Sequence, residues 1–330
     1  MFLLARVPLS AVCVLMLGWN TSSDAQSKIA FASLRDGNWE IYKMDADGGH
    51  QTQLIKRVEQ DGFPLWSPDG SKIAFGSQVG DGWQLWVMDA NGSNDRSVFS
   101  GISAKASRQW SPDGQRIVLT AIRDGKPTIY TVRADGTVVS RLISTQGEDR
   151  DPSWSPDGTR IAFSSTRDGN SEIYVMRGDG SNQTRITRDP ARDEQPMWSP
   201  TGDRIAFVSS RHGKRELYLV HPDGSELERL TTDPADDQVP VWSPDGSRIA
   251  FQAVRGEEYD IDVVRVADHV RTRLTTTTGY DGMQAWSPDG REIAFISDRD
   301  GYDAVYVVRT DGTQMRKLTT SSSLNPAWAR

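Results

Sequence analysis

The sequence predicts an all-β fold, a seven-bladed β-propeller of four-stranded antiparallel blades. The pentapeptide Trp-Ser-Pro-Asp-Gly occurs five times in the 330 residues, and a sixth copy reads Trp-Ser-Pro-Thr-Gly. The six tryptophans are each 44 residues apart, at Trp66, Trp110, Trp154, Trp198, Trp242 and Trp286. Short β-like segments that repeat with this period are typical of propellers, in which each blade has four strands.

One repeat shows why four strands are expected. The copy that begins at Asp151 contains four apolar-rich runs, at 151–154, 160–165, 172–176 and 184–187. Glycine, proline, aspartate or asparagine separates the runs, as a meander of hairpins requires. In the turn that follows Trp154, Pro156 presets the first corner and Gly158 accepts a left-handed backbone. The other copies keep this order, except that Ile261 is followed by Asp262 where other blades have an aromatic residue.

Counting the runs predicts how the ring closes. Seven strands of the Ile-Ala-Phe type accompany only six complete turn motifs, and the first of these strands begins at Lys28. The chain ends in Asn325-Pro-Ala-Trp328-Ala-Arg330, which matches a tryptophan strand without its turn. We therefore expect the last strand to complete the first blade, which removes open sheet edges. Residues 26–330 then form one propeller domain.

The first 25 residues are predicted to be a secretory signal peptide. Arg6 precedes an apolar run at Val7–Leu17, and Ser23-Asp24-Ala25 fits a small-x-small cleavage site. The apolar run is too short to span a membrane, so no span is expected after cleavage. The only cysteine, Cys13, lies in this segment, which leaves the mature chain without disulfides. These features predict a periplasmic or secreted protein.

Composition restricts the partners that can be expected. The formal net charge is −7, which argues against nucleic acid because phosphate binding requires a basic face. A uniform repeat of about 300 residues favours a single closed domain. We expect a monomer.

The repeat resembles a known family. The pattern Pro-x-Trp-Ser-Pro-Asp-Gly-x-x-Ile-Ala-Phe, followed by Ile-Tyr-Val-Met and Arg-Leu-Thr, is similar to the TolB-type propeller repeat over essentially the whole mature chain. The resemblance implies a propeller that binds an envelope protein or peptide in the periplasm. TolB itself has an α/β domain before six blades, whereas we expect seven blades here. Similar repeats also occur in prolyl-oligopeptidase-like proteases and in sugar-acid lyases.

Candidate binding residues lie five positions before each tryptophan. Aspartate occupies five of these seven positions, and a closed ring would place them around one channel mouth. The set is Asp61, Lys105, Asp149, Asp193, Asp237, Asp281 and Ser323. The third blade differs, with Lys105 and Arg108 where the others have aspartate and mostly proline, which suggests a contact for a carboxylate or ordinary repeat drift.

The aspartates allow more than one interpretation. A ring of carboxylates could bind Ca²⁺, which prefers oxygen ligands, or a basic peptide. Alternatively, each aspartate caps its own loop by accepting hydrogen bonds from nearby backbone N–H groups. No other cofactor is expected.

Two functions follow from these residues. The first is a non-catalytic periplasmic scaffold that binds a protein or peptide at the funnel mouth. The second is a propeller enzyme that cleaves carbohydrate or peptide with carboxylates at the same mouth. The sequence has no Gly-x-Ser-x-Gly nucleophile elbow, and its four histidines fall in different blades. These observations favour the scaffold.

Overall fold

The computed structural model describes residues 27–103 and 107–329. The predicted signal peptide and Lys105 lie outside the described residues. Throughout the described ranges, the regular secondary structure is β-strand, as predicted. Among these residues, no helical segment has the length and hydropathy of a membrane span.

The strands follow one another in chain order without an intervening helix in the described ranges. The first half comprises β1 (Lys28–Ser33), β2 (Glu40–Asp45), β3 (Thr52–Gln53), β4 (Gln60–Trp66), β5 (Lys72–Val79), β6 (Gly82–Asp89), β7 (Arg96–Ile102), β8 (Arg108–Trp110), β9 (Arg116–Arg123), β10 (Lys126–Arg133), β11 (Val139–Arg141), β12 (Asp149–Trp154), β13 (Arg160–Ser165) and β14 (Glu172–Arg177). The second half comprises β15 (Thr184–Arg185), β16 (Asp193–Trp198), β17 (Ile205–Ser209), β18 (Glu216–Val220), β19 (Glu228–Arg229), β20 (Asp236–Trp242), β21 (Arg248–Arg255), β22 (Glu258–Arg265), β23 (Arg271–Arg273), β24 (Asp281–Trp286), β25 (Glu292–Ser297), β26 (Ala304–Arg309), β27 (Arg316–Lys317) and β28 (Ser323–Trp328).

These strands pair antiparallel in sets of four, which we number along the chain. Set 1 has the order β28-β1-β2-β3, and sets 4 to 7 are β12–β15, β16–β19, β20–β23 and β24–β27. Sets 2 and 3, β4–β7 and β8–β11, join into one eight-stranded sheet through a single pair, Ile102 and Ala121. In set 1, Trp328 lies opposite Ile29, so the last strand pairs with the first strand of the chain.

Buried apolar side chains hold neighbouring sets together. One cluster contains Ile41 of set 1 with Trp66 of set 2, and another contains Val118 of set 3 with Trp154 of set 4. The same arrangement recurs between each further pair of successive sets, and a cluster with Phe31 joins set 7 to set 1. The core is therefore distributed between the faces of adjacent sheets.

The repeated tryptophans belong to this core, as the sequence predicts. Trp154, Trp198, Trp286 and Trp328 are fully buried. For Trp110, Trp242 and Trp286, the indole N–H donates to a backbone carbonyl of the preceding set. The pairs are Trp110–Leu65, Trp242–Met197 and Trp286–Val241, at 2.9–3.1 Å. A carbonyl partner satisfies the indole donor, so the ring can be buried between sheets.

The Ser-Pro-Asp-Gly motif forms a hydrogen-bonded hairpin turn. In the copy after Trp66, the hydroxyl of Ser67 donates to Asp69 and accepts the backbone N–H of Lys72 at 2.9 Å. Gly70 has a positive φ of 68°. In the variant copy, where threonine replaces aspartate, Ser199 bonds Asp203 at 2.9 Å instead. A carboxylate two residues later therefore supplies the missing acceptor.

The turns divide between two faces, as predicted. We call upper the face with the turns between second and third strands and the segments leading into each first strand. Backbone bonds join these two groups, for example from Asp193 N to Ser171 O and from Asp237 N to Arg215 O, both 2.8 Å. The lower face carries the Ser-Pro-Asp-Gly turns, where Gly178 N bonds Thr159 O at 2.8 Å. Any upper-face site is thus built from two neighbouring sets.

Deleting residues 324–330 should lower the melting temperature markedly. The deletion removes the partner of β1 and the buried Trp328, and loss of such a side chain alone costs about 3–5 kcal/mol. Thermal unfolding followed by circular dichroism measures the effect. Val58→Ser, at a side chain that is 92% exposed, is the control, and a truncated protein that melts like it would contradict the role of the last strand.

Candidate functional site

The predicted aspartates lie on the upper face but are buried. Asp61, Asp149, Asp193, Asp237 and Asp281 are each at most 1% exposed. They therefore form part of the packed interior, beneath the surface that a partner would touch. Whether they bind calcium as a ring stays a prediction.

Three of these aspartates pair with an arginine of their own set. The partners come from the turns between second and third strands, 18 residues further along the chain, in the pairs Asp149–Arg167, Asp193–Arg211 and Asp281–Arg299. The N···O distances are 2.9 Å, 2.9 Å and 3.2 Å. The sequence interpretation missed this partner, although the constant spacing of 18 residues in these sets is a signal that could have revealed it.

A serine hydroxyl and two aromatic rings also contact each of these arginines. In set 5, Arg211 Nε donates to the hydroxyl of Ser209 at 2.8 Å. The guanidinium lies 4.7 Å from the ring centre of Tyr218 and 5.7 Å from that of Phe207. The environment of Arg211 thus combines an ion pair with cation–π contacts. These contacts fix the turn at residues 211–213 against the first strand.

In set 6, the buried aspartate pairs with an arginine from a different strand. Arg255, 18 residues after Asp237, bonds Asp260 at 3.0 Å and Asp262 at 2.7 Å. Asp237 instead pairs with Arg271 of the outermost strand, β23, at 3.2 Å. Arg271 also contacts Asp262 and lies 4.8 Å from the Phe251 ring centre. The aspartate at 262, which replaces the aromatic residue of other sets, therefore reorganises the charges of set 6.

The result is a charge cluster in which acidic side chains outnumber arginines. Its members are three arginines and five acidic side chains, namely Arg255, Arg271, Arg273, Asp233, Asp237, Glu258, Asp260 and Asp262. Asp237, Asp260 and Asp262 are buried, whereas the side chains of Asp233 and Glu258 are 30% and 42% exposed. One oxygen of Asp260 and one of Asp262 are buried without a hydrogen-bond partner. Burial raises the pKa of Asp237 to about 8, and it raises the pKa of Asp260 and of Asp262.

A cleft opens on the upper face beside this cluster, between sets 5 and 6. It has a volume of about 540 Å³. Pro234, Ala235 and Val254 provide apolar walls, and Lys214, Asp236 and Arg255 provide polar groups. Arg255 links the two features, because its guanidinium lines the cleft and bonds the buried carboxylates beneath.

Set 2 lacks an arginine for its aspartate. The position 18 residues after Asp61 is Val79, and in the described chain at least one oxygen of the buried Asp61 carboxylate has no hydrogen-bond partner. The guanidinium of Arg57 lies 3.8 Å from the Trp86 ring centre but is paired with Asp95. Burial raises the pKa of Asp61 to about 7.

The remaining predicted site residues have structural contacts. Arg108 is 5% exposed and donates to the carbonyl of Phe63 at 2.9 Å, which places it between sets 2 and 3 and away from the surface. Ser323, the seventh ring position, contacts Ser33 of β1 through their hydroxyls at 3.2 Å.

The histidines do not gather at one site, but His212 and His221 both belong to set 5, on opposite faces, so the prediction of four different blades is wrong for this pair. They contact acidic or tyrosine side chains of the lower or upper face, in the pairs His50–Asp45, His212–Tyr218, His221–Glu226 and His269–Glu228. Within residues 27–103 and 107–329, no three His, Cys, Asp or Glu residues are grouped so that they could hold a metal ion.

These features define a β-propeller repeat protein whose upper face carries buried ion pairs and one open cleft. The sequence matches the TolB beta propeller domain over residues 19–108, 97–192, 143–254 and 234–329. The chain belongs to this family. No curated protein was found to match it.

Solved structures with the same fold include both TolB and enzymes. TolB from Acinetobacter baumannii has a TM-score of 0.61 at 20% identity, over 91% of this chain and 82% of that chain. An oligogalacturonate lyase in complex with manganese has a TM-score of 0.70 at 19% identity, over 91% and 89%. A puromycin hydrolase has a TM-score of 0.71 at 14% identity, over 96% of this chain but 54% of that chain. At these identities the likeness shows the fold alone.

Arg211→Gln should destabilise the protein by about 3–5 kcal/mol, because it leaves the buried Asp193 without its charge partner. Urea unfolding near neutral pH measures the loss. Arg192→Gln is the matched control, since Arg192 is 69% exposed in its pair with Glu194 and such pairs contribute at most about 1 kcal/mol. Equal losses in both variants would contradict a structural role for the buried pair.

Asp61→Asn should stabilise the protein at alkaline pH only. A carboxyl whose folded pKa is raised contributes stability below its unfolded pKa of about 4, and that contribution is lost as the pH rises through about 7. In buffer free of divalent ions, the variant should therefore exceed the wild type by roughly 1–4 kcal/mol at pH 8 and by little at pH 4. Unfolding free energies at both pH values provide the measurement. A gain that does not change with pH would contradict it.

Proposed function

We propose that the protein is a non-catalytic scaffold of the periplasm or the secreted fraction, which binds a basic segment of a protein or peptide partner on its upper face. The observation that carries the proposal is the cleft between sets 5 and 6, which lies beside a charge cluster in which acidic side chains outnumber arginines. The predicted signal peptide and the family support the location.

The cleft suits a lysine or arginine side chain. Pro234, Ala235 and Val254 can cover the methylene stem, which long cationic side chains commonly bury while the charge stays in polar surroundings. Asp236, 39% exposed at its side chain, offers a carboxylate that also pairs with Lys214 at 3.8 Å. The acidic cluster beneath lowers the energy of a cation in the cleft. The rigid ion pairs of the upper face keep this arrangement preorganised.

We infer that the seven sets are the blades of one closed propeller, formed by residues 26–330 as a single domain and acting as a monomer. The pairing of β28 with β1 and the apolar cluster between sets 7 and 1 support closure. A closed ring would hold the two walls of the cleft at a fixed separation. This rigidity suits recognition of a short segment without rearrangement of the scaffold.

A second candidate is an enzyme that cleaves carbohydrate or peptide. The observation that favours it is the pair Asp237 and Asp262, which share Arg271 while the pKa of Asp237 is about 8. Carboxyls with separated pKa values act as acid and base in glycosidases. Turnover in a glycan and peptide hydrolysis screen that is lost in Asp237→Asn would favour this candidate.

Binding of short peptides tests the scaffold proposal. A fluorescent lysine-alanine peptide should bind, and a glutamate-alanine peptide of equal length should not. Asp236→Asn should weaken the affinity roughly 3–10-fold, because it removes a charge at the rim of the cleft. Fluorescence anisotropy measures the dissociation constants, which should rise with salt.

The control is Glu148→Gln, which removes a half-exposed carboxylate of the upper face in set 4. It makes the net charge less negative by the same amount as Asp236→Asn, but Glu148 does not line the cleft. Equal affinity for both peptides, or equal weakening by the two substitutions, would reject the cleft as the binding point.

A further inference from the structure

The junction of sets 4 and 5 shows how the repeat neutralises two buried carboxylates. Glu172, at the start of β14, pairs with Arg185 at 2.5 Å and accepts a bond from the hydroxyl of Thr187 at 2.7 Å. Asp193, at the start of β16, pairs with Arg211 at 2.9 Å. Two guanidinium charges thus balance two carboxylates.

The junction of sets 1 and 2 retains both carboxylates without those partners. Glu40 and Asp61 occupy the places of Glu172 and Asp193. The residue opposite the third-strand tyrosine is Arg185 in set 4 but Gln53 in set 1. Two residues further on, Ile55 stands where set 4 has a threonine, and Val79 stands where the turn arginine would be. Both cations and the hydroxyl are therefore missing.

The two carboxylates are buried side by side with open oxygens. Glu40 is 2% exposed and Asp61 is 1% exposed. The backbone N–H of Asp61 bonds the carbonyl of Trp39, the neighbour of Glu40, at 2.7 Å. In the described chain, one oxygen of Glu40 and at least one oxygen of Asp61 have no hydrogen-bond partner. Burial raises the pKa of each carboxyl.

The hydroxyl of Ser77 lies close to the Asp61 carboxylate. Ser77 lies directly opposite Asp61 in the β4–β5 ladder, so the two side chains project from one face of the sheet. The Ser77 side chain is fully buried, and its hydroxyl is close enough to Asp61 to lower the pKa of that carboxyl, against the larger effect of burial. In sets 4, 5 and 7 the equivalent serine oxygen accepts a bond from the arginine that is absent here.

The surrounding charges do not neutralise this junction. Arg57 is near both carboxylates and lowers the pKa of each, but its guanidinium is paired with Asp95. Glu59 adds another negative charge close to Glu40 and Asp61. The ionised carboxylates therefore outnumber the one cation nearby, which is unfavourable for buried charges.

We propose that Glu40, Asp61 and Ser77 form a binding site for a hard divalent cation, Ca²⁺. Their open groups are all oxygen, the ligand type that Ca²⁺ prefers. A charge of +2 replaces the two guanidinium charges that the junction of sets 4 and 5 supplies from within the chain. Ca²⁺ takes six to eight ligands, so solvent or backbone carbonyls complete its shell. The site is separate from the cleft and does not depend on the proposed partner.

Calcium titration of the chelator-treated full-length protein tests the proposal. Isothermal calorimetry at pH 8 should show one binding event, and the melting temperature should rise by about 3–6 °C at a hundredfold excess over Kd. Because protons compete for the same carboxylates, the rise should shrink at pH 5. Asp61→Asn and Glu40→Gln should each lose the heat and the thermal shift.

Two further variants separate binding from general stabilisation. Glu148→Gln, at an exposed carboxylate, should keep the full calcium response. Gln53→Arg combined with Val79→Arg restores the arginines of the other sets, so it should raise stability without calcium and abolish the response. No heat and no thermal shift in the wild type would overturn the proposal, as would an undiminished shift in Asp61→Asn. A wild type that responds to pH but not to Ca²⁺ would also overturn it, by assigning the junction to protons alone.

Discussion

A carboxylate that is removed from water needs a positive charge beside it, and the upper face of this protein is organised by that need. Every set except set 3, whose equivalent residue lies outside the described part of the chain, buries an aspartate or a serine where its first strand begins. Sets 4, 5 and 7 supply the charge from the turn of the same sheet. Set 6 brings it from the outermost strand, and set 2 has no such partner in the described chain. The differences between sets, more than their common pattern, distinguish one part of the face from another.

The way in which each set neutralises its buried carboxylate also determines how the side chains around it pack. Where a turn arginine is present, its guanidinium stacks on the aromatic pair of the second and third strands and closes that end of the blade. Where Asp262 replaces the tyrosine, the platform is lost and three arginines converge on acidic groups. An open cleft lies next to that rearrangement. One substitution in a core position thus accompanies a change in surface shape.

Much of the fold could be predicted because its determinants are local and periodic. The tryptophans, the Pro-Asp-Gly turns and the alternating apolar runs recur at fixed spacing, so strand order and the division of turns between two faces could be deduced from Trp154 and its equivalents. The burial of Asp193 could not, since exposure depends on how sheets pack. Its partner Arg211 lies at a regular distance along the chain but across a turn whose direction the sequence alone does not give. The cleft depends on the relative placement of Lys214 and Val254 from different sheets, which no local pattern records.

The pairing of β28 with β1 places the two chain segments of set 1 in direct contact, with the backbone N–H of Ala329 bonded to the carbonyl of Lys28 at 2.7 Å. Residues that are 301 positions apart in the sequence are therefore direct neighbours in the structure. A short linker between these residues, together with a new opening at the tight Asp124-Gly125 hairpin, would give a circular permutant with the same sheets. Such a rearranged chain offers attachment points for labels or fused domains on a different edge of the molecule.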